Sequence, residues 1–124
     1  MGAIRSIGQF FSNHCETGEK HEDPSLRTRY YKVTNSNAIK MIDELLSSEP
    51  GIKVTSVSKE HGELSVEMTS PKKAFIVVSI ISVRPYETAV DFSVTYEGLL
   101  SLGYTKVIVK KLYNMINEKL SPLR

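Results

Sequence analysis

The sequence predicts an α+β fold: a two-layer sandwich in the order β-α-β-β-β-β-α, its sheet antiparallel, preceded by a short N-terminal amphipathic helix. Three observations lead there. Residues 35–48 and 105–120 carry apolar side chains at helical period, whereas the runs around them alternate with period two or are β-branched throughout. The turn signals between the last four strands are too short for crossovers, so those strands form hairpins. A chain of 124 residues, 40% hydrophobic and 24% charged, buries about two-thirds of its unfolded surface and needs no disulfide or metal to fold.

Taken in order, Ile4, Ile7 and Phe11, with Phe10 beside them, give residues 1–12 the spacing of a short amphipathic helix, weakened by Gly2 and Gly8. Apolar residues then nearly vanish. Glu16, Glu19, Glu22 and Asp23 against Lys20 make residues 13–25 an acidic linker by composition, which leaves 26–124 as the α+β domain. "LRTRYYKVT", Leu26 to Thr34, alternates and is rich in aromatic and β-branched residues, so it is the first strand. Asn35 or Ser36 caps a helix running to about Ser48, with Ile39, Ile42 and Leu46 on its stripe and Ala38, Met41 and Leu45 widening it. Pro50-Gly51 stops it.

"IKVTSVSKE", "GELSVEMTS" and "KKAFIVVSIISV" follow as a meander, split at His61-Gly62 and Ser70-Pro71. Arg84-Pro85-Tyr86 breaks the third run, and "TAVDFSVTY" alternates with Val90, Phe92 and Val94 on one face. The closing helix carries Ile108, Leu112, Met115, Ile116 and Leu120, and Pro122 ends it. This order resembles the TATA-binding-protein-like and helix-grip folds over residues 26–120, a likeness of element order that implies a long helix across a curved sheet.

The strand 74–83 breaks the alternation of its neighbours. Ala74, Ile76, Val78 and Ile80 point one way and Phe75, Val77, Ile81 and Val83 the other, so both faces call for burial. The candidate covers are the N-terminal helix, a second copy in a homodimer or another protein partner, a small apolar ligand, and, for residues 2–12, a membrane surface.

Chemistry-bearing residues are few. His14, Cys15 and His21 are zinc-ligand types without a fourth partner at a familiar spacing, and Glu16 and Glu19 oppose the thiolate that a nucleophilic Cys15 needs. No catalytic residue, metal or cofactor is assigned. An enzyme in a cleft lined by His61 or by carboxylates such as Glu63 and Glu67 is the rival class, one that requires a sheltered polar pocket. Arg27, Arg29 and Tyr31 on one face of the first strand, with Arg84 and Tyr86 at a hairpin tip, are the candidate ligand- or partner-binding residues. The same "RTRYYK" run offers guanidinium groups and a ring to nucleic acid, a reading disfavoured by the net charge of only +2 and by the lack of a known RNA- or DNA-binding motif.

One cysteine and no apolar run of spanning length point to a cytoplasmic protein. "MGAIRS" matches the short myristoylation pattern through Gly2 and Ser6. Nearly the whole chain, and in particular "HCETGEKHEDPSLRTRYYK" with "VVSIISVRPYETAVDFSV", resembles a group of small uncharacterised cytosolic proteins of bacilli. That resemblance implies a bacterial cytosolic setting and no catalytic residues. The expectation is a non-enzymatic binding or interaction domain that works through its sheet face or the groove between sheet and helix.

Overall fold

In the computed structural model, residues 13–70, 72–98 and 103–123 are described. The helix expected in 1–12 lies outside them. Within the described residues the chain is an α+β fold, a six-stranded antiparallel sheet with two helices.

The first helix, α1 (Asn35–Ser47), is capped one residue earlier than expected. Thr34 takes an extended conformation and its Oγ1 accepts from the Asn37 N–H at 3.3 Å, satisfying a donor that helix geometry orphans. Its buried residues Ala38, Ile39, Ile42 and Leu46 form the stripe that the sequence spacing specifies. The second helix, α2 (Tyr104–Asn117), follows Gly103, whose φ of 82° is a left-handed conformation, and buries Ile108, Val109, Leu112, Tyr113 and Ile116.

The strands are β1 (His14–Glu16), β2 (Arg29–Tyr31), β3 (Ile52–Ser58), β4 (Glu63–Met68), β5 (Ala74–Arg84) and β6 (Glu87–Tyr96). Their order across the sheet is β1-β6-β5-β4-β3, with β2 also pairing β6. Thus β1 and β2 share one edge of β6: His14, Cys15 and Glu16 oppose Thr95, Val94 and Ser93, while Arg29, Tyr30 and Tyr31 oppose Val90, Ala89 and Thr88. The last turn of chain adds a further rung, because Lys32 N–H donates to the Ser121 carbonyl at 2.9 Å and Leu123 N–H to that of Tyr30 at 2.7 Å.

Residues 13–25, acidic and nearly free of apolar side chains, therefore carry a strand, although their composition reads as linker. A three-residue edge strand holds through backbone bonds and one inward side chain, Cys15, which is 2% exposed. β2 is correspondingly shorter than the run Leu26–Thr34. Leu26 belongs to a 3-10 turn, Pro24–Leu26, and the Thr28 N–H is drawn to the Gly18 carbonyl at 3.2 Å.

Both helices pack on one face of the sheet, against Leu64, Val66 and Met68 of β4, Ala74, Ile76, Val78 and Ile80 of β5, and Val90, Phe92 and Val94 of β6. Each fully buried isoleucine or leucine here contributes roughly 1.5–3 kcal/mol. The edge of one aromatic ring meets the face of another where Phe92 and Tyr113 pack with centroids 4.8 Å apart. No helix among the described residues covers the other face.

Candidate interaction surface on the open sheet face

Antiparallel register places directly opposed residues on the same face, so the open face can be read row by row. One row runs His14, Thr95, Phe75, Glu67, Lys53. The next holds Glu16, Ser93, Val77, Ser65 and Ser56, and the third Asp91, Ser79, Glu63 and Ser58. Tyr30, Ala89 and Ile81 make the last. β5 thus gives this face Phe75 and Val77 in the first two rows and Ile81 in the last, with Ser79 and its polar row between them. Phe75 is 38% exposed and Ile81 50%. Past a register shift between Ser82 and Arg84 the series continues into Val83, 48% exposed, and Tyr86 at the hairpin tip, 68% exposed.

The rim around these apolar residues is acidic. From Phe75 to Ile81 the face carries Glu16, Glu63, Glu67 and Asp91 against a single lysine, Lys53. Asp91 is also a structural hub: its Oδ1 accepts from the hydroxyls of Thr17 and Thr28, each at 2.7 Å, closing the gap between β1 and β2 on the edge of β6. An aspartate inside a cleanly alternating strand was the visible trace of that role.

The five residues singled out in the sequence do not form one site. Arg29 opposes Val90 and so faces the helices, where its guanidinium lies 5.2 Å from the Tyr113 ring centroid and its Nε is buried without a hydrogen-bond partner. Tyr31, fully buried, donates its hydroxyl to Asn117 Oδ1 at 2.7 Å, and burial, opposed by the charge of Arg29, pushes that hydroxyl up to about 12. Arg27 is exposed on the loop, its Nε donating to the His21 carbonyl at 2.8 Å. Only Arg84 and Tyr86 stand together at an exposed position, with Arg84 Nε 3.8 Å from Glu87 Oε1. Period two tells which residues share a face; it does not tell which face the register turns inward.

The histidines and cysteine do not converge either. Adjacent strand residues point to opposite faces, so Cys15 goes into the core while His14 stays outside, its Nε2 3.1 Å from Glu16 Oε1. His21 Nδ1 accepts from the Asp23 N–H at 3.0 Å, and among the described residues no three His, Cys, Asp or Glu side chains gather as a metal-binding group. Glu63 and Glu67 share the open face but sit in different rows, opposite Ser79 and Phe75. His61 lies exposed in the turn after β3, with Nδ1 2.9 Å from Ser58 Oγ.

A cavity of about 220 Å³ at the end of β4 and the start of β5 is lined by Glu67 of the open face with Lys73 and Glu97. A cavity of about 370 Å³ opens at the start of α1, lined by Asn35, Asn37, Lys40, Asp43, Val57 and Lys59 among others. Burial raises the Tyr113 hydroxyl well above its ordinary range, and that hydroxyl donates to the Val90 carbonyl at 2.9 Å, a structural bond deep in the core. No helix among the described residues is long and apolar enough to cross a membrane. Comparison with protein-family models, with curated proteins and with solved structures gives no match.

Proposed function

We propose that this chain is a non-enzymatic interaction domain of the bacterial cytoplasm that binds a protein partner through the open face of its sheet. The observation that carries the reading is the exposed apolar residues of β5, Phe75 and Ile81 with Val83 and Tyr86 beyond them. Exposed apolar side chains grouped on one face and bordered by polar groups mark a surface that binds another macromolecule. Exposed apolar side chains spread along one strand favour a protein over a small apolar ligand, which is held better in an enclosed apolar pocket. Its acidic rim speaks against nucleic acid. Tyr86 and Arg84 at the hairpin tip are of the residue types that anchor interfaces.

The test is site-specific photocrosslinking in cells. A benzophenone side chain at Ile81 or Tyr86 of the full chain should yield a discrete adduct with another protein, whereas the same group at Lys40, on the exposed side of α1, should not. Introducing Val83→Glu should remove the adduct. Equal adducts at all three positions, or none at Ile81 and Tyr86, would sink the proposal.

A further inference from the structure

The carboxylates of the open face lie along both sides of β5. On one side β4 presents Glu67 opposite Phe75 and Glu63 opposite Ser79, both exposed. On the other side β6 presents Asp91, also opposite Ser79, and β1 adds Glu16 beyond Ser93. Between these two lines run Phe75, Val77, Ser79 and Ile81, with only the short side chains of Ser65 and Ser93 beside Val77. β4 and β6 stand two strand spacings apart, about 10 Å, and the stretch from Phe75 to Ile81 measures roughly 20 Å.

An α-helix fits those dimensions. Its diameter with side chains is about 10–12 Å, and about 13 of its residues span 20 Å. Laid along β5, such a helix would set an apolar face on Phe75, Val77 and Ile81 and hold its two flanking rows over Glu63 and Glu67 on one side and Asp91 and Glu16 on the other. Charge decides what those rows carry. From Phe75 to Ile81 the carboxylates are offset by Lys53 alone, and the cations beyond the two ends have acidic company of their own: Lys73 shares a cavity with Glu67 and Glu97, and Arg84 Nε lies 3.8 Å from Glu87 Oε1. Lysine or arginine in the flanking rows complements this border, whereas the same face of a second copy would bring another net-negative surface to it.

We infer that the partner of the open face presents a basic amphipathic helix, seated lengthwise on β5 with lysines or arginines along both borders of its apolar side. This names the partner of the surface proposed above and rests on that reading. Apolar contact supplies most of the affinity. The carboxylate borders orient the helix and exclude acidic ones, because exposed charge pairs add little each while like charges set face to face repel. Added salt therefore weakens the binding.

Two helical peptides of about 13 residues test it, sharing one leucine face and carrying either lysines or glutamates beside that face. Titrated into the full chain and followed by NMR, the lysine peptide should shift Phe75, Val77, Ser79 and Ile81 and bind at least about tenfold more tightly than the glutamate peptide. Glu63→Gln with Glu67→Gln should narrow that preference, and Glu63→Lys with Glu67→Lys should abolish it. Equal affinities, no binding of the lysine peptide, shifts on α1 instead of β5, or a preference untouched by both pairs of substitutions overturns the inference. Shifts of the same signals with protein concentration alone overturn it too, since they mark a second copy on the face. If the Ile81 crosslink persists in any of those cases, only the basic helix fails; loss of that crosslink as well removes the interaction surface.

Discussion

Lys106 Nζ lies 2.5 Å from Asp23 Oδ2, so the loop between β1 and β2 is tied to α2 and not merely to the sheet edge. Asp23 does a second job at the same time, since its Oδ1 accepts from both the backbone N–H and the hydroxyl of Ser25, opening the 3-10 turn. Burial acts to raise this carboxyl, but Lys106 and the two Ser25 donors outweigh it and hold the group down at about 2, against an ordinary 3.8.

The sign of the pH effect follows. A carboxyl whose pKa is lower in the folded chain than in the unfolded one stabilises the fold above the unfolded value and loses that contribution as pH falls towards the folded one. Between pH 3.8 and about 2 the wild-type chain should therefore lose stability more steeply than Asp23→Asn, which lacks this titration. Urea midpoints measured across that window check it, and parallel curves would show that the pair contributes nothing.

Arg29 presents a different balance. Its place over Tyr113 is worth about 0.5–2 kcal/mol, while a buried donor left without a partner, as Nε is, costs about 1–3 kcal/mol. Arg29→Met keeps the packing of the stem and removes the orphan donor, so it should fall within about 1 kcal/mol of wild type. Arg29→Ala loses the packing too and should cost about 1–3 kcal/mol. Denaturant unfolding of both variants decides; a large loss in the methionine variant would assign the guanidinium a role beyond packing.

Gly62 and Gly18 should behave oppositely. Gly62 has φ of 66°, and a Cβ there would collide with the carbonyl oxygen of Ile80 on the neighbouring β5, whose N–H donates to the Gly62 carbonyl at 2.6 Å. Gly62→Ala should cost at least about 1–3 kcal/mol from the backbone conformation alone. At Gly18 a Cβ meets nothing within 4 Å, and Gly18→Ala should be neutral or stabilise by up to about 1 kcal/mol through the unfolded chain. Thermal unfolding of the two variants side by side is the check.

Cys15 reports directly on the unexpected strand. At 2% exposure its thiol is shielded beneath α2, so modification by an aromatic disulfide reagent should be slow in native buffer and rise to the rate of a free thiol as the chain unfolds in urea. Rapid modification under native conditions would mean that β1 does not stay on β6.

The sequence was most legible where burial and periodicity agree. Both helices fall within a few residues of their expected bounds because Ile39, Ile42 and Leu46, or Ile108, Leu112 and Ile116, leave no other way to hide a stripe. The hairpins from Ile52 to Tyr96 were equally plain, and so was the two-faced apolar character of β5. What stayed hidden depended on partners remote in the chain. β1 holds through its bonds to β6 and through Cys15, features that local composition does not record. The inward turn of Arg29 and Tyr31 was set by register with Val90 and Thr88, so a run that looked like an exposed recognition strand became the lining of the helix layer.

The shared edge of β6 also has a consequence for synthesis. His14 meets Thr95 across a sequence separation of 81 residues, so β1 waits on the ribosome without this partner until β6 has emerged. Contacts this remote must close before the sheet's edge is sealed, and non-local pairing of this kind slows folding relative to chains built from local contacts. Through that interval the apolar side chains of β5 and the bare edge of β6 are exposed together, and the nascent chain is most open to chaperones and to misassembly then.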